Sequence, residues 1–240
     1  MEHTVLVTGS TDGLGRRSAE SLLADGHHVV VHARNSRRAE TLADLVDRGA
    51  TLVTADLADI RALWRMADDL RGAGLTAVIH NAGVISGPDV LPVNVVAPYL
   101  LTALLPDVRR HVVLSSGMHR GGSTSLDRID WGTSTGSSYS DSKLFVTAFA
   151  AVLPRRRPGV VAHAVDPGWV PTKMGGAGAP DDLEAGHHTQ DWLAVTDDPD
   201  AATPGYWYHR ERATPVAAAR DSAFQGALLA ALADLTGERL

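Results

Sequence analysis

A tyrosine and a lysine four residues apart, Tyr139 and Lys143, have the spacing needed for proton-transfer chemistry. Side chains four apart lie on the same face of a helix. An ammonium group beside a phenol stabilises the phenolate, which lowers the tyrosine pKa from its usual value of about 10. The chain has only one other lysine, Lys173, so a generally lysine-rich surface does not explain the pair. The spacing predicts a general acid or base, and a surface pair on an amphipathic helix is the alternative that it leaves open.

A glycine-rich turn follows the first strand-like segment, residues 4–8. Its glycines, Gly9, Gly13 and Gly15, are spaced Gly-x-x-x-Gly-x-Gly, and a helical pattern begins at residue 16. A strand, a glycine-rich turn and a helix in succession point backbone N–H groups and a helix N-terminus at a phosphate. The spacing differs from both the Gly-x-Gly-x-x-Gly fingerprint and the P-loop. We interpret the turn as a phosphate-binding loop, with a flexible turn as the alternative.

An arginine stands where the second strand-like segment, residues 28–32, ends. In a dinucleotide-binding fold this strand end meets the adenosine ribose, where an acidic residue binds the hydroxyls of NAD and an arginine accommodates the 2′-phosphate of NADP. Positions 32–35 contain no acidic residue, but they contain Arg34. Since a guanidinium binds phosphate through two hydrogen bonds, Arg34 predicts NADP(H). A surface arginine at a strand end is the alternative.

Strand-like and helical segments alternate along the whole chain. The remaining predicted strands are 51–55, 75–79, 111–114, 160–165 and 205–208, and the predicted helices after the first are 36–48, 59–70, 90–105, 138–153 and 217–235. Such alternation is typical of βαβ units and a parallel sheet. No break in composition and no linker interrupts it. The sequence therefore predicts a single-domain α/β fold of the Rossmann type over residues 1–240, a doubly wound parallel sheet with helices on both faces.

Composition excludes several classes of protein. The net charge of −6 argues against a broad nucleic-acid-binding surface. The absence of cysteine excludes disulfides, thiolate zinc sites and a cysteine nucleophile. No run approaches the roughly 18 apolar residues of a membrane span, and the N-terminus lacks a basic segment with a cleavage site. We therefore expect a cytoplasmic protein that binds no nucleic acid and does not span a membrane.

Two adjacent histidines, His187 and His188, suggest a metal site at first sight. Neighbouring residues on a helix point about 100° apart. We find no carboxylate or third histidine at ligand spacing. The sequence therefore predicts no metal site.

Taken together and in this order, the motifs resemble the short-chain dehydrogenase/reductase family over nearly the whole chain. The matching residues are Thr8, Gly9, Gly13, Gly15, Asp56, Leu57, Asn81, Ala82, Gly83, Asn94, Ser116, Tyr139, Lys143, Pro167, Gly168 and Thr172. The segments 115–119 and 205–207 are closer in pattern to the retinol-dehydrogenase-like branch than to the commonest members. His80 is a departure, because the family usually has a second asparagine there, and we expect it to alter packing or loop hydrogen bonds near the cofactor.

The resemblance implies a catalytic set of Asn94, Ser116, Tyr139 and Lys143. In this set Tyr139 gives a proton to a substrate carbonyl, while Ser116 donates a hydrogen bond to the same oxygen. Lys143 lowers the tyrosine pKa and holds the nicotinamide ribose, and Asn94 holds a water that connects Lys143 to solvent. Counting back from the tyrosine as in the commonest members leads beside Ser125, a minor alternative to Ser116. Ser116 is preferred because a strand end is a rigid mount for a catalytic group.

The resemblance also implies a cofactor site for NADP(H). Its residues are Gly9, Ser10, Thr11, Asp12, Gly13, Leu14, Gly15, Arg34, Asn35, Asp56, Leu57, Asn81, Ala82, Gly83, Tyr139, Lys143, Pro167, Gly168, Val170 and Thr172. Since cells usually keep NADPH reduced, the implied reaction is reduction of a ketone or aldehyde to an alcohol. The alternative is a catalytically silent NADP-binding sensor or scaffold, although such relatives typically lose the tyrosine or the lysine. Arg34 disfavours a third possibility, NAD-dependent alcohol oxidation.

The segment 169–205 is the expected substrate lid, as in family members. Candidate substrate contacts are Met118, His119, Trp131, Trp169, Met174 and Trp192. Plain packing is the alternative for each of them except His119, for which it is a structural hydrogen bond. The expected partner is a small carbonyl or alcohol substrate. The usual C-terminal segment of the classical members is not evident, so a homodimer is retained as the alternative to their tetramer.

Overall fold

Eight strands form one sheet in the computed structural model, which describes residues 1–240. The strands are β1 Thr4–Val7, β2 His28–Ala33, β3 Thr51–Thr54, β4 Ala77–His80, β5 Arg110–Leu114, β6 Val161–Asp166, β7 Gly205–Tyr208 and β8 Glu211–Ala213. Their order is β3-β2-β1-β4-β5-β6-β7-β8, and only the β7–β8 hairpin is antiparallel. The order reverses between β1 and β4, and such a switch point opens a crevice at the carboxyl ends of the strands. The predicted parallel α/β sheet is confirmed, and β8 extends it.

Eight α-helices cover the two faces of this sheet. They are α1 Gly13–Ala24, α2 Ser36–Ala39, α3 Ala43–Asp47, α4 Ile60–Asp69, α5 Ala97–Leu104, α6 Tyr139–Arg156, α7 Leu183–Val195 and α8 Ser222–Thr236. Side chains alternate along a strand, so Val5 and Val7 pack on the α1 side whereas Leu6 packs on the α4 side. The prediction of helices on both faces is therefore confirmed. No helix combines the length and hydropathy that crossing a bilayer requires.

The predicted helix 90–105 is broken in its middle. It consists of a wide π turn, Pro92–Val96, followed by α5. Pro98 has no N–H to donate to the carbonyl of Asn94 four residues earlier, so a regular α-helix cannot continue through this point. Such π turns are frequent at functional sites. The break places Asn94 in the turn with a backbone carbonyl that lacks its α-helical donor.

Helix α6 begins at Tyr139 because two side chains cap it. The Ser138 hydroxyl accepts a hydrogen bond from the N–H of Asp141 at 3.1 Å, and the Asp141 carboxylate accepts one from the N–H of Ser138 at 2.7 Å. This capping box satisfies two N–H groups that would otherwise lack partners. The first helical residue is thereby fixed in place, and with it the candidate acid.

The C-terminal helix α8 packs against the outer side of α6. The rings of Phe145 and Phe224 lie 5.7 Å apart between centroids. The Tyr99 hydroxyl donates a hydrogen bond to the carbonyl of Glu238 at 2.7 Å. The apolar side of α5 and α6 is therefore covered by the chain's own C-terminus.

Candidate active site

A cleft of about 290 Å³ opens at the carboxyl ends of the strands, beside the switch point. The loops after β1 to β6 and the start of α6 line it. The sequence-predicted residues that it brings together are Gly9, Thr11, Asp12, Gly13, Leu14, Arg34, Asp56, Leu57, Asn81, Ala82, Gly83, Tyr139, Lys143, Pro167, Thr172 and Met174. Two separately predicted groups, the glycine loop and the tyrosine–lysine pair, thus share one cavity.

The glycine loop owes its shape to close backbone contacts. Gly9 has a φ of +70°, a conformation that favours glycine. A Cβ on Gly15 would lie 2.3 Å from Nδ2 of Asn81 and 2.5 Å from the carbonyl oxygen of Gly9. Asn81 itself donates to the carbonyl of Thr8 at 2.9 Å. The loop is therefore an open backbone cradle, the form that a cofactor pyrophosphate requires.

Several predicted cofactor residues support the cleft without lining it. Ser10 is buried and accepts a hydrogen bond from the N–H of His32 at 3.0 Å. Asn35 caps α2 by accepting from the N–H of Arg38 at 3.0 Å. Val170 is buried beneath the cleft. These side chains hold backbone segments in place, and Gly15 and Gly168 act in the same way.

His32 is a supporting residue that the sequence analysis missed. Its Nδ1 accepts a hydrogen bond from the N–H of Gly9 at 3.0 Å, and its Nε2 donates to the carbonyl of Ala55 at 2.9 Å. Burial lowers its pKa, which keeps the ring neutral as these two bonds require. His32 therefore ties the glycine loop to the end of β3. The only available signal was a polar residue in an otherwise apolar strand.

Two arginines flank the adenosine end of the cleft. Arg34 is exposed, lines the cleft and has no hydrogen bond or ion pair with other residues of the chain. Arg38, which the sequence analysis missed, donates to the Thr11 hydroxyl at 2.6 Å and to the Asp12 carboxylate at 2.7 Å. Lys173 reaches the same carboxylate at 2.7 Å from the segment after β6. This end of the cleft therefore carries three cationic side chains. Two of them, Arg38 and Lys173, are paired with the Asp12 carboxylate.

Lys143 is buried and Tyr139 is partly buried, and the loss of solvent dominates the electrostatics of the pair. Lys143 Nζ lies 5.5 Å from the Tyr139 ring centroid and donates to the carbonyl of Leu114 at 2.7 Å. Burial raises the pKa of Tyr139 to about 12 although the Ser116 hydroxyl opposes the shift. Burial also lowers the pKa of Lys143 to about 8, against the pull of Asp166. The expected lowering of the tyrosine pKa is not observed, because burying a phenolate is more unfavourable than its one hydrogen bond is favourable.

Ser116 lies directly after β5 and forms the N-cap of a short 3-10 turn, Gly117–Gly121. Its Oγ accepts a hydrogen bond from the N–H of Met118 at 3.2 Å. Its hydroxyl also hydrogen-bonds to Tyr139, which lowers the pKa of the tyrosine. Ser125, the alternative, makes only local hydrogen bonds in the exposed loop before α6. The structure therefore brings Ser116, and not Ser125, to the tyrosine.

Asn94 fixes the chain on the side of Lys143. Its side chain exchanges two hydrogen bonds of 2.9 Å with the backbone of Val84 and donates to the Ser142 hydroxyl at 3.0 Å. Its Oδ1 lies 3.4 Å from the position of a Cβ on Gly83. These hydrogen bonds hold the side chain in place, and the backbone carbonyl lies in the π turn, where Pro98 cannot donate to it.

Of the six predicted substrate contacts, Met174 lines the cleft, and Met118 and Trp169 are exposed on the segments that follow β5 and β6. Met118 follows Ser116, Trp169 follows β6, and Met174 lies at the cleft wall beside Gly83. Their exposed fractions are 51%, 60% and 43%. Exposed apolar side chains that cluster in this way mark binding surfaces.

The other three predicted substrate contacts lie away from the cleft. Trp131 packs on Phe145 in the core beneath α6, with ring centroids 5.8 Å apart. Trp192 lies on α7 and packs edge-on against Trp207, at 5.2 Å. His119 is buried behind Ser116. Trp131 and Trp192 are therefore packing residues, and His119 makes structural hydrogen bonds, as the alternatives for these residues held.

The predicted lid, 169–205, divides into two parts. Its second half contains α7, which packs against α1 and the sheet. Residues 169–182 have no regular structure and are held by Asp181, whose carboxylate accepts from the N–H of Trp169 at 2.6 Å. Only this first part borders the cleft.

The histidines of α7 have carboxylate neighbours, so that part of the sequence argument was wrong. Glu184 reaches Nε2 of His187 at 3.1 Å, and Asp191 reaches its Nδ1 at 2.6 Å. Burial lowers the pKa of His187, but its bonds to Asp191 and Glu184 outweigh this and raise it. A protonated histidine is not a metal ligand. We interpret the cluster as an ion-pair network, and the absence of a metal site stays a prediction.

His80, the departure from the family pattern, points away from the cofactor end. Its Nε2 lies 3.2 Å from Nδ1 of His111, and both rings are fully buried. Burial lowers the pKa of both, so both rings are neutral. His80 alters packing under β4 and β5 without contacting the cleft.

The geometry agrees with comparisons to known proteins. A family model described as short chain dehydrogenase matches residues 3–102. Short-chain dehydrogenase chry4 of Gibberella zeae is 35% identical over 255 residues, covering 98% of both chains. The chain belongs to the short-chain dehydrogenase family. Retinol dehydrogenase 13 of Homo sapiens, 31% identical over 72% of this chain and 60% of its own, confirms the predicted likeness to that branch.

Solved structures share the fold of this short-chain dehydrogenase. An uncharacterised protein of Mycobacterium paratuberculosis has a TM-score of 0.82 and 27% identity, covering 99% of this chain and 94% of its own. A Shigella flexneri short-chain dehydrogenase, solved in complex with NADP, has a TM-score of 0.67 and 21% identity, covering 86% of this chain and 95% of its own. The prediction of an NAD(P)-dependent enzyme of this family is confirmed by the family model and the relatives.

Proposed function

We propose that this short-chain dehydrogenase uses NADPH to reduce a ketone or an aldehyde to an alcohol, with Tyr139 as the proton donor. One observation carries the proposal: Tyr139 and Lys143 line the same cleft as the glycine loop. A dinucleotide with its pyrophosphate on that loop would occupy the cleft that Tyr139 and Lys143 also line. The pKa of Tyr139, about 12, keeps its hydroxyl protonated at neutral pH, as an acid must be.

The preference for NADPH rests on the cations at the adenosine end. Arg34 lines the cleft with a guanidinium that no other residue engages. Arg38 is oriented beside the loop by Thr11 and Asp12. A guanidinium matches the geometry of a phosphate, and no carboxylate at the end of β2 competes for the ribose hydroxyls. The NADP complex of the Shigella flexneri protein is in keeping with this assignment.

The residues divide the reaction between them. When bound, the nicotinamide supplies a hydride to the carbonyl carbon. Tyr139 transfers its hydroxyl proton to the carbonyl oxygen, so that an alcohol and a tyrosinate result. Ser116 donates a hydrogen bond to the same oxygen as negative charge develops. Lys143 stabilises the tyrosinate and binds the nicotinamide ribose hydroxyls.

Tyr139 must then regain a proton from solvent. Asn94 Oδ1 and Lys143 Nζ lie 3.4 Å and 3.7 Å from the position of a Cβ on Gly83, so the two side chains meet beside that residue. We assign the backbone carbonyl of Asn94, to which Pro98 cannot donate, to a water that relays this proton. Residues 169–182 would close over the substrate while the transfer takes place.

A panel of aliphatic and aromatic ketones and aldehydes tests the function directly. With the full chain, the loss of NADPH absorbance should depend on the carbonyl compound and should be faster than with NADH. Tyr139→Phe removes the proton donor and keeps the ring, so its rate should fall by at least about a thousandfold. Oxidation of NADPH at the same rate in Tyr139→Phe, or no reduction of any carbonyl by a folded wild type that binds NADPH, would contradict the proposal.

A further inference from the structure

A carboxylate lies at the end of the strand next to the one that holds Lys143. Asp166 is the last residue of β6, which pairs with β5, and the last residue of β5, Leu114, holds Lys143 through its carbonyl. Oδ2 of Asp166 lies 3.2 Å from the position of a Cβ on Gly117, so the carboxylate sits against the turn that carries the catalytic serine. Its Oδ1 accepts from the N–H of Gly168 at 3.1 Å.

Two aromatic side chains connect this carboxylate to the serine turn. The Tyr206 hydroxyl donates to Oδ2 of Asp166 at 3.1 Å, and its ring packs on His119 with centroids 4.9 Å apart. Nε2 of His119 accepts from the N–H of Val216 at 3.1 Å, so the ring proton is on Nδ1. That proton is donated to the carbonyl of Ser116 at 2.7 Å. The carboxylate and the serine turn therefore form one connected unit.

The charge of Asp166 acts on the groups around it. Those that face it are Lys143 and Tyr139 on α6, His119 and Arg120 after β5, Tyr206 and Tyr208 on β7, and Asp181 and His209 near the turn after β6. Burial lowers the pKa of Lys143, and Asp166 is the one charged group that raises it. The same charge adds to the effect of burial in raising the pKa of Tyr139.

We propose that Asp166 is a positioning residue whose carboxylate is the counter-charge that keeps Lys143 an ammonium and Tyr139 a phenol, which biases the enzyme towards carbonyl reduction. The inference rests on the proposed function of Tyr139 and extends it. Reduction starts from the phenol, whereas alcohol oxidation starts from the tyrosinate. A fixed negative charge behind the pair disfavours the tyrosinate and favours the ammonium.

The two lysines of the chain permit a direct test by NMR that needs neither substrate nor cofactor. Protein labelled with carbon-13 at the lysine Cε gives two signals, which Lys143→Arg assigns, and Lys173 serves as the internal reference. In the wild type the Lys143 signal should titrate with a pKa of about 8. In Asp166→Asn this pKa should fall by about one unit, the effect of one nearby charge at an effective dielectric constant near 20, while the Lys173 signal stays unchanged.

Matched variants separate charge from shape. Tyr206→Phe removes the hydrogen bond and keeps the carboxylate, so the pKa of Lys143 should stay at its wild-type value. Asp181→Asn removes another carboxylate at the same end and should also leave it unchanged. If Asp166→Asn fails to fold by circular dichroism, Asp166→Ser removes the same charge with a smaller side chain.

Activity provides the second readout. Loss of the carboxylate lowers the pKa of both Lys143 and Tyr139, so in Asp166→Asn the rate of reduction should decline at a lower pH than in the wild type, whichever group titrates first. An unchanged pKa of Lys143 in Asp166→Asn, or an equal fall in Tyr206→Phe, overturns the inference. If either result overturns the inference but Tyr139→Phe is inactive, the proposed function stands. If Tyr139→Phe is active, the proposed function itself is wrong.

Discussion

The two ends of the cleft are built in different ways. The cofactor end is shaped by backbone, with Gly15 packed so closely on Asn81 that a Cβ has no room. The proposed substrate end is bordered by exposed side chains, Met118 in a 3-10 turn and Trp169 and Met174 on a segment without regular structure. Backbone contacts of the first kind tolerate few residue types, whereas apolar side chains at a cleft mouth can be exchanged without loss of the fold. Conserving one end and varying the other is how a single fold serves many substrates.

The largest effect is expected from a methyl group added at the cofactor end. Gly15→Ala places a Cβ 2.3 Å from Nδ2 of Asn81. This overpacking should reduce the free energy of unfolding by about 3 kcal/mol and weaken NADPH binding, measured by denaturant titration and cofactor fluorescence. Gly226→Ala in α8, where nothing lies within 4 Å, should instead stabilise the protein by about 0.5–1 kcal/mol. Equal effects of the two substitutions would remove the distinction between a packed and a free glycine.

Arg34→Ala should discriminate between the two cofactors. Loss of a hydrogen-bonded ion pair with the 2′-phosphate should weaken NADPH by about 2 kcal/mol, roughly 30-fold, and leave NADH nearly unchanged. Isothermal titration calorimetry measures both dissociation constants. Arg71→Ala, an exposed arginine paired only with Asp68, is the control. If the two cofactors lost affinity equally, Arg34 would have no phosphate role.

Two tryptophans that look alike in sequence should behave oppositely. Trp169→Ala, at the substrate end, should raise the KM for an apolar carbonyl compound by about fivefold, because it removes roughly 1 kcal/mol of apolar contact. Trp192→Ala should leave KM unchanged and reduce the free energy of unfolding by about 2 kcal/mol, because Trp192 packs on Trp207. Steady-state kinetics and denaturant titration on both variants check this. A KM effect in Trp192→Ala would place α7 at the substrate after all.

Features that depend on local patterns could be predicted from the sequence. Alternating strands and helices specified the sheet, and the glycine spacing specified the loop, because each depends on residues close together in the chain. The pairing of Tyr139 with Lys143 is likewise a matter of helical spacing. Ser116 could be preferred over Ser125 because it ends a strand.

Contacts between distant segments could not be predicted in this way. His32 meets Gly9, and Arg38 meets Thr11, only because β2 lies beside β1. Asp166 reaches the catalytic pair only because β6 pairs with β5. Single polar residues at strand ends carry no periodic signal, so their partners become known once the strand order is known.

The pKa of Tyr139 is a further property that the sequence could not predict. Spacing correctly indicated that Lys143 and Tyr139 face each other, and it suggested a lowered pKa for the tyrosine. In the structure Lys143 is buried and Tyr139 is partly buried, and the loss of solvent opposes charge on either group. Burial depends on the whole fold, so a spacing argument predicts which groups meet but not which proton form they adopt.

Hydride tracing tests the central claim most directly. NADPH that carries deuterium on the transferred position of its nicotinamide should, with the wild type and a reducible ketone, place deuterium on the carbinol carbon of the alcohol, as mass spectrometry would show. Tyr139→Phe, which should still bind NADPH, should transfer almost none. Deuterium in the product at an undiminished rate in Tyr139→Phe, or an alcohol without deuterium from the wild type, would contradict carbonyl reduction at this site.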